Sequence, residues 1–250
     1  MRRPSEMLNR LGATERSRLM ARSMPEDLAR LHIGDPFFDT PAHICHAALE
    51  AMQAGYTHYA PFAGDGQLRE AICRFLKREC GSDFEPKELL ITNGASEAIY
   101  CAIAGYINPG DEVLVFDPTY SLYSTCISAV GGVTVPVPLS PDYRVSEEEL
   151  RGRVGARSRM IIINNPNNPT GTLYSMGELK NIAQAALDHD LLVLSDEVYH
   201  KFTYDGAEHI SAAGLPELRD RCLVVNSFSK TYAMTGWRVG YLAGAGELVK

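Results

Sequence analysis

The 250-residue sequence is acidic, with 31 aspartate and glutamate residues against 24 lysine and arginine residues and a net charge of −7. It has no basic tract, so the composition argues against nucleic acid or an anionic membrane as a partner. No apolar run approaches the ~18 residues that a membrane helix needs, and the opening residues contain no apolar signal-peptide core. We therefore expect a cytoplasmic protein with no membrane partner.

The cysteine and histidine patterns do not indicate a disulfide framework or a metal site. The six cysteines are scattered along the chain, and none forms a CxxC pair. Reduced core thiols are the ordinary interpretation of such spacing. The spacing of the seven histidines is not typical of a set of metal ligands either. We predict that the protein binds no metal.

The first part of the chain predicts an arm followed by a helix and a loop. Residues 1–32 are charged and helix-compatible, and we assign them to an N-terminal arm and helix. We assign residues 33–250 to one large domain. Thr40 and Pro41 are typical of an N-cap and a first helical position, opening a helix to about Ala54. An aromatic and glycine-rich loop follows, and then an amphipathic helix from Gln67 to about Glu79.

From residue 89 onward, short apolar strands alternate with helices. Ser146 with Glu149, and Ser175 with Glu178, have the spacing of capping boxes at two of the helix starts. Purely apolar strands separated by helices predict an α/β fold with a mainly parallel sheet covered by helices on both faces. The predicted strands are 89–91, 113–116, 133–137, 160–163, 191–194 and 223–225.

Polar segments follow the predicted strands, where ligands bind in sheets of this kind. Gly94-Ala95-Ser96 at a helix start offers backbone N–H groups to a phosphate, although such turns are common without a ligand. Residues 164–171 contain two Asn-Pro steps directly after a buried strand, which is more unusual than an ordinary turn. Asp196 ends an apolar strand, where a carboxylate is costly to bury without a cationic partner.

Lys230 lies between small polar residues just after the last predicted strand. Most lysines are solvated surface residues, and that remains the ordinary interpretation of Lys230 alone. A partly desolvated lysine has a lowered pKa, however, and its neutral amine can form a Schiff base. Arg238, eight residues on, supplies a fixed charge suited to a phosphate. Tyr199, three residues after Asp196, can place a phenol near the same ligand. A lysine, a buried carboxylate, this tyrosine, the polar Asn loop and a phosphate cradle together indicate a site for pyridoxal phosphate.

The motifs that contain these residues resemble the large domain of class I/II aminotransferases, which belong to the fold-type-I pyridoxal-phosphate superfamily. The resemblance covers the chain from about Ile33 to its end, with the motifs in family order. The motifs are Asn165-Pro166-Asn167-Asn168-Pro169-Thr170-Gly171, Asp196-Glu197-Val198-Tyr199, Ser227-Phe228-Ser229-Lys230 and Met234-Thr235-Gly236-Trp237-Arg238-Val239-Gly240-Tyr241.

The resemblance implies four residues around the cofactor ring. Lys230 is similar to the lysine that forms the Schiff base and later serves as acid and base. Asp196 matches the residue that pairs with the pyridinium nitrogen. Tyr199 and Asn168 match the residues that hydrogen-bond the phenolic oxygen of the ring and favour its anion. These four roles are what the resemblance implies.

The resemblance also implies residues for the phosphate, the ring face and the substrate. By it, the phosphate is held by Ser227, Arg238 and the helix start at Ala95 and Ser96. Tyr120 matches the aromatic residue that stacks on the ring, although a packed core tyrosine is the alternative. Tyr59 matches a residue lent across a dimer interface, with the same alternative. Near the substrate the resemblance implies Gly34 and Asn168.

By this resemblance, the expected activity is transfer of an amino group from an L-amino acid to a 2-oxo acid by a homodimer. Two alternatives stay open: a β-elimination lyase that uses the same cofactor, and an inactive cofactor-binding fragment. Family members continue into a smaller C-terminal domain with an arginine for the substrate carboxylate. The sequence ends at Lys250, ten residues past Gly240, so we expect that domain to be absent from these residues.

Overall fold

One seven-stranded sheet organises the chain in the computed structural model, which describes residue 7 and residues 33–249. The strand order across the sheet is β1-β7-β6-β5-β4-β2-β3. The strands are β1 (Leu89–Thr92), β2 (Glu112–Asp117), β3 (Val133–Pro138), β4 (Ser158–Asn164), β5 (Leu192–Asp196), β6 (Cys222–Ser227) and β7 (Gly240–Gly244). Apart from Met7, the predicted arm over residues 1–32 lies outside the described residues.

Parallel pairing dominates the sheet, which confirms the predicted α/β class. Strands β3, β2, β4, β5 and β6 pair in parallel along one side of the sheet. The sequence analysis missed β7, which runs antiparallel to both β1 and β6. Its five residues begin and end with glycine and follow a tight turn, so local pattern does not reveal that the chain doubles back beside β6 and pairs with the distant strand β1.

Helices cover both faces of the sheet. The described helices are α1 (Ala42–Gln53), α2 (Gly66–Cys80), α3 (Ala95–Tyr106), α4 (Leu122–Ala129), α5 (Glu147–Arg153), α6 (Met176–Asp188) and α7 (Phe228–Thr231). One buried cluster joins α2, α5 and α6 to the sheet, and a second joins α3 and α4 to the opposite face. Successive strand residues alternate between the two clusters, as the pleat of a strand requires. None of the described helices is long and apolar enough to cross a membrane.

Side-chain caps begin several of the helices. The Ser175 hydroxyl accepts from the backbone N–H of Glu178 while the Glu178 carboxylate accepts from the Ser175 N–H, so this capping box is confirmed. The predicted N-cap at Thr40 is wrong. Pro41 occupies that position, and the Thr40 hydroxyl instead donates to the Ala233 carbonyl at 2.6 Å. A tertiary acceptor thus replaces the local one.

Candidate active site

A cavity of about 520 Å³ opens at the carboxyl ends of β4, β5 and β6. It gathers residues from segments that are as much as 200 positions apart in sequence. The sequence-predicted residues that line it are Gly34, Ala95, Ser96, Tyr120, Asn168, Asp196, Tyr199, Ser227, Lys230 and Arg238. These residues therefore line one cavity, at the end of the sheet where the parallel strands expose their carboxyl ends.

Tyr59 is the predicted site residue that lies outside this cavity. Its side chain is fully exposed, as is that of Phe62 in the same loop. Helix α1, which precedes this loop, has no buried residue. The described part of the chain therefore gives Tyr59 no role within its own protomer.

Asp196 is the buried acid of the cavity, at the end of β5. It lies on the same face of the sheet as Leu194 two residues earlier, and that face is covered by α3 and α4. Its Oδ2 accepts from the Tyr123 hydroxyl at 2.7 Å, and its Oδ1 accepts from the Val198 backbone N–H at 3.2 Å. Burial raises the pKa of Asp196 to about 6, although the bond from Tyr123 acts in the opposite direction.

Asn164 holds the Asn-Pro loop against Asp196. Asn164 pairs directly with Asp196 across β4 and β5, and its side-chain amide donates to the Asp196 carbonyl at 3.2 Å. Its amide oxygen accepts from the backbone N–H of Asn168 at 2.6 Å. The loop that carries Asn168 is thereby fixed to the strand that carries Asp196.

Lys230 extends across the cavity from α7. Its Nζ donates to the carbonyl of Gly34 and lies 5.9 Å from the centre of the Tyr199 ring. A Cβ on Gly34 would lie 2.8 Å from the Tyr199 hydroxyl. The absence of a side chain at residue 34 therefore lets this segment approach both the amine and the phenol.

The N-terminus of α3 and the Arg238 guanidinium form an anion cradle. The first N–H groups of a helix have no acceptor within the helix, and α3 begins at Ala95. A Cβ on Gly94, which has a φ of 75°, would lie 2.4 Å from Nη2 of Arg238. A Cβ on Gly240 would lie 2.7 Å from the backbone nitrogen of Ala95. Gly94 thus lets the Arg238 guanidinium pack against the helix start, and Gly240 lets β7 approach the same helix start.

Ser227 ends β6 beside this cradle. Its hydroxyl accepts from the backbone N–H of Ser229 at 3.0 Å and lies 2.8 Å from the Ser229 hydroxyl. It also lies 3.2 Å from the carbonyl of Val239. These contacts fix the start of α7, and so the direction in which Lys230 leaves the backbone.

A second buried carboxylate lies directly next to Asp196 in sequence but on the opposite face of the sheet. Oε1 of Glu197 accepts from the hydroxyls of Ser195 and Ser211, both at 2.9 Å, and from the backbone N–H of Ala212 at 3.1 Å. Burial raises its pKa to about 7. Glu197 therefore fastens the segment after β5 to the sheet rather than facing the cavity.

Sequence reasoning missed Tyr123 and assigned no role to Asn164. Tyr123 is fully buried in α4, among residues that are otherwise mostly apolar or small. A buried phenol needs a hydrogen-bond partner, and that requirement was the one available signal. Among the described residues, no group of three or more His, Cys, Asp or Glu residues could hold a metal ion.

The residues of the cavity fit pyridoxal phosphate. The cradle at Ala95 supplies N–H groups and a guanidinium for a phosphate, and its two glycines let Arg238 and β7 approach the helix start closely. A buried carboxylate with a raised pKa gains from a cationic partner such as a protonated ring nitrogen. Lys230 supplies the amine. This donor set matches the three polar ends of the cofactor.

Comparison with known proteins identifies the family. The profile of "Aminotransferase class I and II" matches residues 26–250. The chain is 42% identical over 221 residues to aromatic-amino-acid aminotransferase 2 of Thermococcus litoralis, covering 87% of this chain and 57% of that protein. It is 38% identical over 243 residues to an aspartate aminotransferase of Geobacillus stearothermophilus, covering 96% and 62%.

Solved structures give the same result. The aspartate aminotransferase from Thermus thermophilus with maleate matches with a TM-score of 0.93 and 35% identity, over 100% of this chain and 66% of that one. The chain thus spans about 60% of the length of the curated relatives it matches. Members of this family depend on pyridoxal phosphate, in agreement with the donor set of the cavity. The chain belongs to the class I and II aminotransferase family.

Proposed function

We propose that this protein is a pyridoxal-phosphate-dependent aminotransferase that moves an amino group from an L-amino acid to a 2-oxo acid. The observation that carries the proposal is the convergence of an amine, a buried carboxylate and an anion cradle on one cavity. Lys230, Asp196 and Arg238 provide these groups. The names of the relatives, which include aspartate, aromatic-amino-acid and arginine–pyruvate aminotransferases, support the same reaction class.

In this proposal the phosphate is held by the start of α3, by Ser227 and by Arg238. A helix N-terminus and a guanidinium both favour a dianion. Asp196 holds the ring nitrogen, and Asn168 with Tyr199 hold the phenolic oxygen. Tyr120 covers one face of the ring. When bound, the cofactor supplies an electron sink for the carbon that loses a proton.

Lys230 performs two tasks in this arrangement. Its Nζ would hold the cofactor covalently, and as a free amine it would accept and return the proton of the substrate carbon. The Gly34 carbonyl accepts a hydrogen bond from Nζ and so directs it into the cavity. In this proposal Gly34 and Asn168, which both line the cavity, also contact the amino-acid substrate.

We further propose that the protein is a homodimer in which Tyr59 reaches the phosphate of the partner's cofactor. Phe37, Tyr59 and Phe62 are all at least 97% exposed, and α1 between them has no buried residue. Three large exposed aromatic residues in one segment indicate a surface that another chain covers. A second copy is the occupant that gives Tyr59 a phosphate to contact.

A cytoplasmic location stays a prediction. It is supported by the thiols, because all six cysteines are free and two of them, Cys126 and Cys222, are buried. Free thiols are typical of a reducing compartment. Localising a fluorescently tagged protein in its host cell tests this prediction.

The half-reaction tests the proposed activity. Purified protein is loaded with pyridoxal phosphate, and single L-amino acids are added while the absorbance spectrum is recorded. We expect at least one donor to convert the cofactor to its amino form, and a 2-oxo acid to restore the original spectrum. Failure of every donor to convert the cofactor would contradict the proposal. Pyruvate and ammonia released from a β-substituted donor without a 2-oxo acid would instead support the lyase alternative.

A further inference from the structure

Tyr123 is a buried polar residue behind the wall of the cavity, and the proposed function gives it no role. It lies three residues after Tyr120, in the first turn of α4, and its ring is in edge-to-face contact with the Tyr120 ring at 5.7 Å between centroids. Its side chain has no exposed surface, and it packs in the cluster between α3, α4 and the sheet. The phenol therefore cannot turn to water for a hydrogen-bond partner.

The hydroxyl of Tyr123 is directed at the acid of the cavity. It donates to Oδ2 of Asp196 at 2.7 Å, across 73 positions of sequence. Asp196 is 4% exposed, and its other oxygen accepts from the Val198 N–H. The carboxylate thus has two protein donors, one on each oxygen, in place of the water that would solvate it at the surface.

We propose that Tyr123 is a positioning residue that keeps Asp196 ionised and oriented, so that Asp196 holds the proton on the ring nitrogen of pyridoxal phosphate. The proposal rests on the proposed function of the cavity. An ionised carboxylate stabilises a protonated ring nitrogen, whereas a protonated carboxyl does not. The donor from Tyr123 favours the ionised form, because a phenol O–H bonds more strongly to a carboxylate than to a neutral acid.

Loss of the Tyr123 donor shifts the proton from the ring nitrogen toward the Asp196 carboxylate. Without the Tyr123 hydroxyl, Oδ2 of Asp196 is left in an apolar environment, and the acid retains its own proton more strongly. The ring nitrogen then loses the ionic partner that kept it protonated. A tyrosine with a purely structural role would cost stability when changed to phenylalanine but would leave the ring nitrogen as it was.

The test compares Tyr123→Phe with Tyr174→Phe as a matched control. Tyr174 is also nearly fully buried, but it packs against Phe116 in the cluster on the other face of the sheet. Both proteins and the unchanged protein are loaded with pyridoxal phosphate carrying ¹⁵N in the ring. The nitrogen chemical shift at pH 8 then reports directly whether the ring nitrogen is protonated.

We expect the protonated shift in the unchanged protein and in Tyr174→Phe, and a move toward the neutral shift in Tyr123→Phe. We also expect Tyr123→Phe to bind the cofactor about tenfold more weakly, as loss of one hydrogen bond to a charged group predicts. A protonated shift in Tyr123→Phe would overturn this proposal and leave the proposed function intact. A neutral shift in the unchanged protein would overturn the role of Asp196 itself.

A double-mutant cycle provides a second measurement. Asp196→Asn removes the carboxylate through which Tyr123 is proposed to act. We expect Tyr123→Phe to have little further effect on cofactor affinity in the Asp196→Asn background. An equal loss in both backgrounds would show that Tyr123 does not act through Asp196, and would overturn the proposal.

Discussion

Two regions that meet at the cavity differ in how much of their structure the protomer itself supports. The carboxyl ends of the central strands β4, β5 and β6 are buried, and their polar side chains form hydrogen bonds with one another or with backbone groups. The segment over residues 33–62 is mostly exposed, and its helix α1 buries nothing. The first region is complete within one chain, whereas the second presents apolar surface that a partner would cover.

Few contacts join the exposed segment to the rest of the chain. Thr40 donates to the Ala233 carbonyl and accepts from the Trp237 indole at 3.0 Å, and Asp35 accepts from Thr235 at 2.7 Å. These bonds reach the turn between Lys230 and Arg238. The segment therefore contacts the cofactor motif more than the apolar core, and changes in it should affect ligand binding more than protomer stability.

Lys230→Ala should have the largest effect, because it removes the only group proposed to attach the cofactor covalently. We expect borohydride treatment to fix labelled cofactor to the unchanged protein and not to the variant. Lys180→Ala, in α6 and away from the cavity, is the control and should retain labelling. Covalent labelling of the Lys230→Ala variant would mean that the lysine is misassigned.

Glu197→Gln should change how stability depends on pH. The pKa of Glu197 is raised to about 7 by burial, whereas an unfolded glutamate has its ordinary value near 4.5. Between these values the folded state binds more protons than the unfolded state, so folding stability falls as pH rises from about 4.5 to about 7.

The glutamine variant lacks this contribution. The unfolding free energy of the variant minus that of the unchanged protein should therefore rise by roughly 3 kcal/mol as the pH is raised from 4 to 8. Denaturant titrations at several pH values measure the difference, in which the titrating groups remote from Glu197 cancel. Parallel stability curves for the two proteins would show that Glu197 is not buried as a titrating acid.

Gly240→Ala should push β7 away from the start of α3, which forms part of the anion cradle. A Cβ at residue 240 would lie 2.6 Å from the carbonyl carbon of Gly94 and 2.7 Å from the nitrogen of Ala95, so the backbone must move. We expect a loss of about 2 kcal/mol in unfolding free energy and weaker binding of the cofactor phosphate. Calorimetry and cofactor titration measure the two effects.

Gly236→Ala is the matched control, since a Cβ there meets no atom within 4 Å. It should leave both quantities nearly unchanged. If Gly240→Ala binds cofactor as tightly as this control, the close approach of β7 to the helix start does not shape the cradle.

Tyr59→Ala should have the smallest effect on the protomer. Its side chain is fully exposed, so the unfolding free energy of the protomer should change by less than about 0.5 kcal/mol. Cofactor affinity should nevertheless fall several-fold in the dimer. Tyr204→Ala, another largely exposed tyrosine, is the control. Equal cofactor affinities in the two variants would contradict the contribution of Tyr59 across an interface.

Much of the fold was predictable because its signals are local. Six of the strands are short apolar runs, and the box at Ser175 and Glu178 is a pairing three residues apart. The seventh strand was missed, because its place in the sheet depends on pairing with β1, whose residues lie more than 100 positions away. The predicted cap at Thr40 failed for the same reason: a distant carbonyl competed with the local N–H groups.

The α/β class, the polar residues that follow each strand and the motif set around Lys230 were all predictable from the amino-acid sequence, because strand pattern and family motifs are properties of short segments. The contacts between groups are visible only in the folded chain: Tyr123 donates to Asp196, Gly94 lets Arg238 pack on a helix start, and Tyr59 faces outward. Such contacts depend on side chains brought together by sheet order and helix packing, and no local pattern encodes their distances.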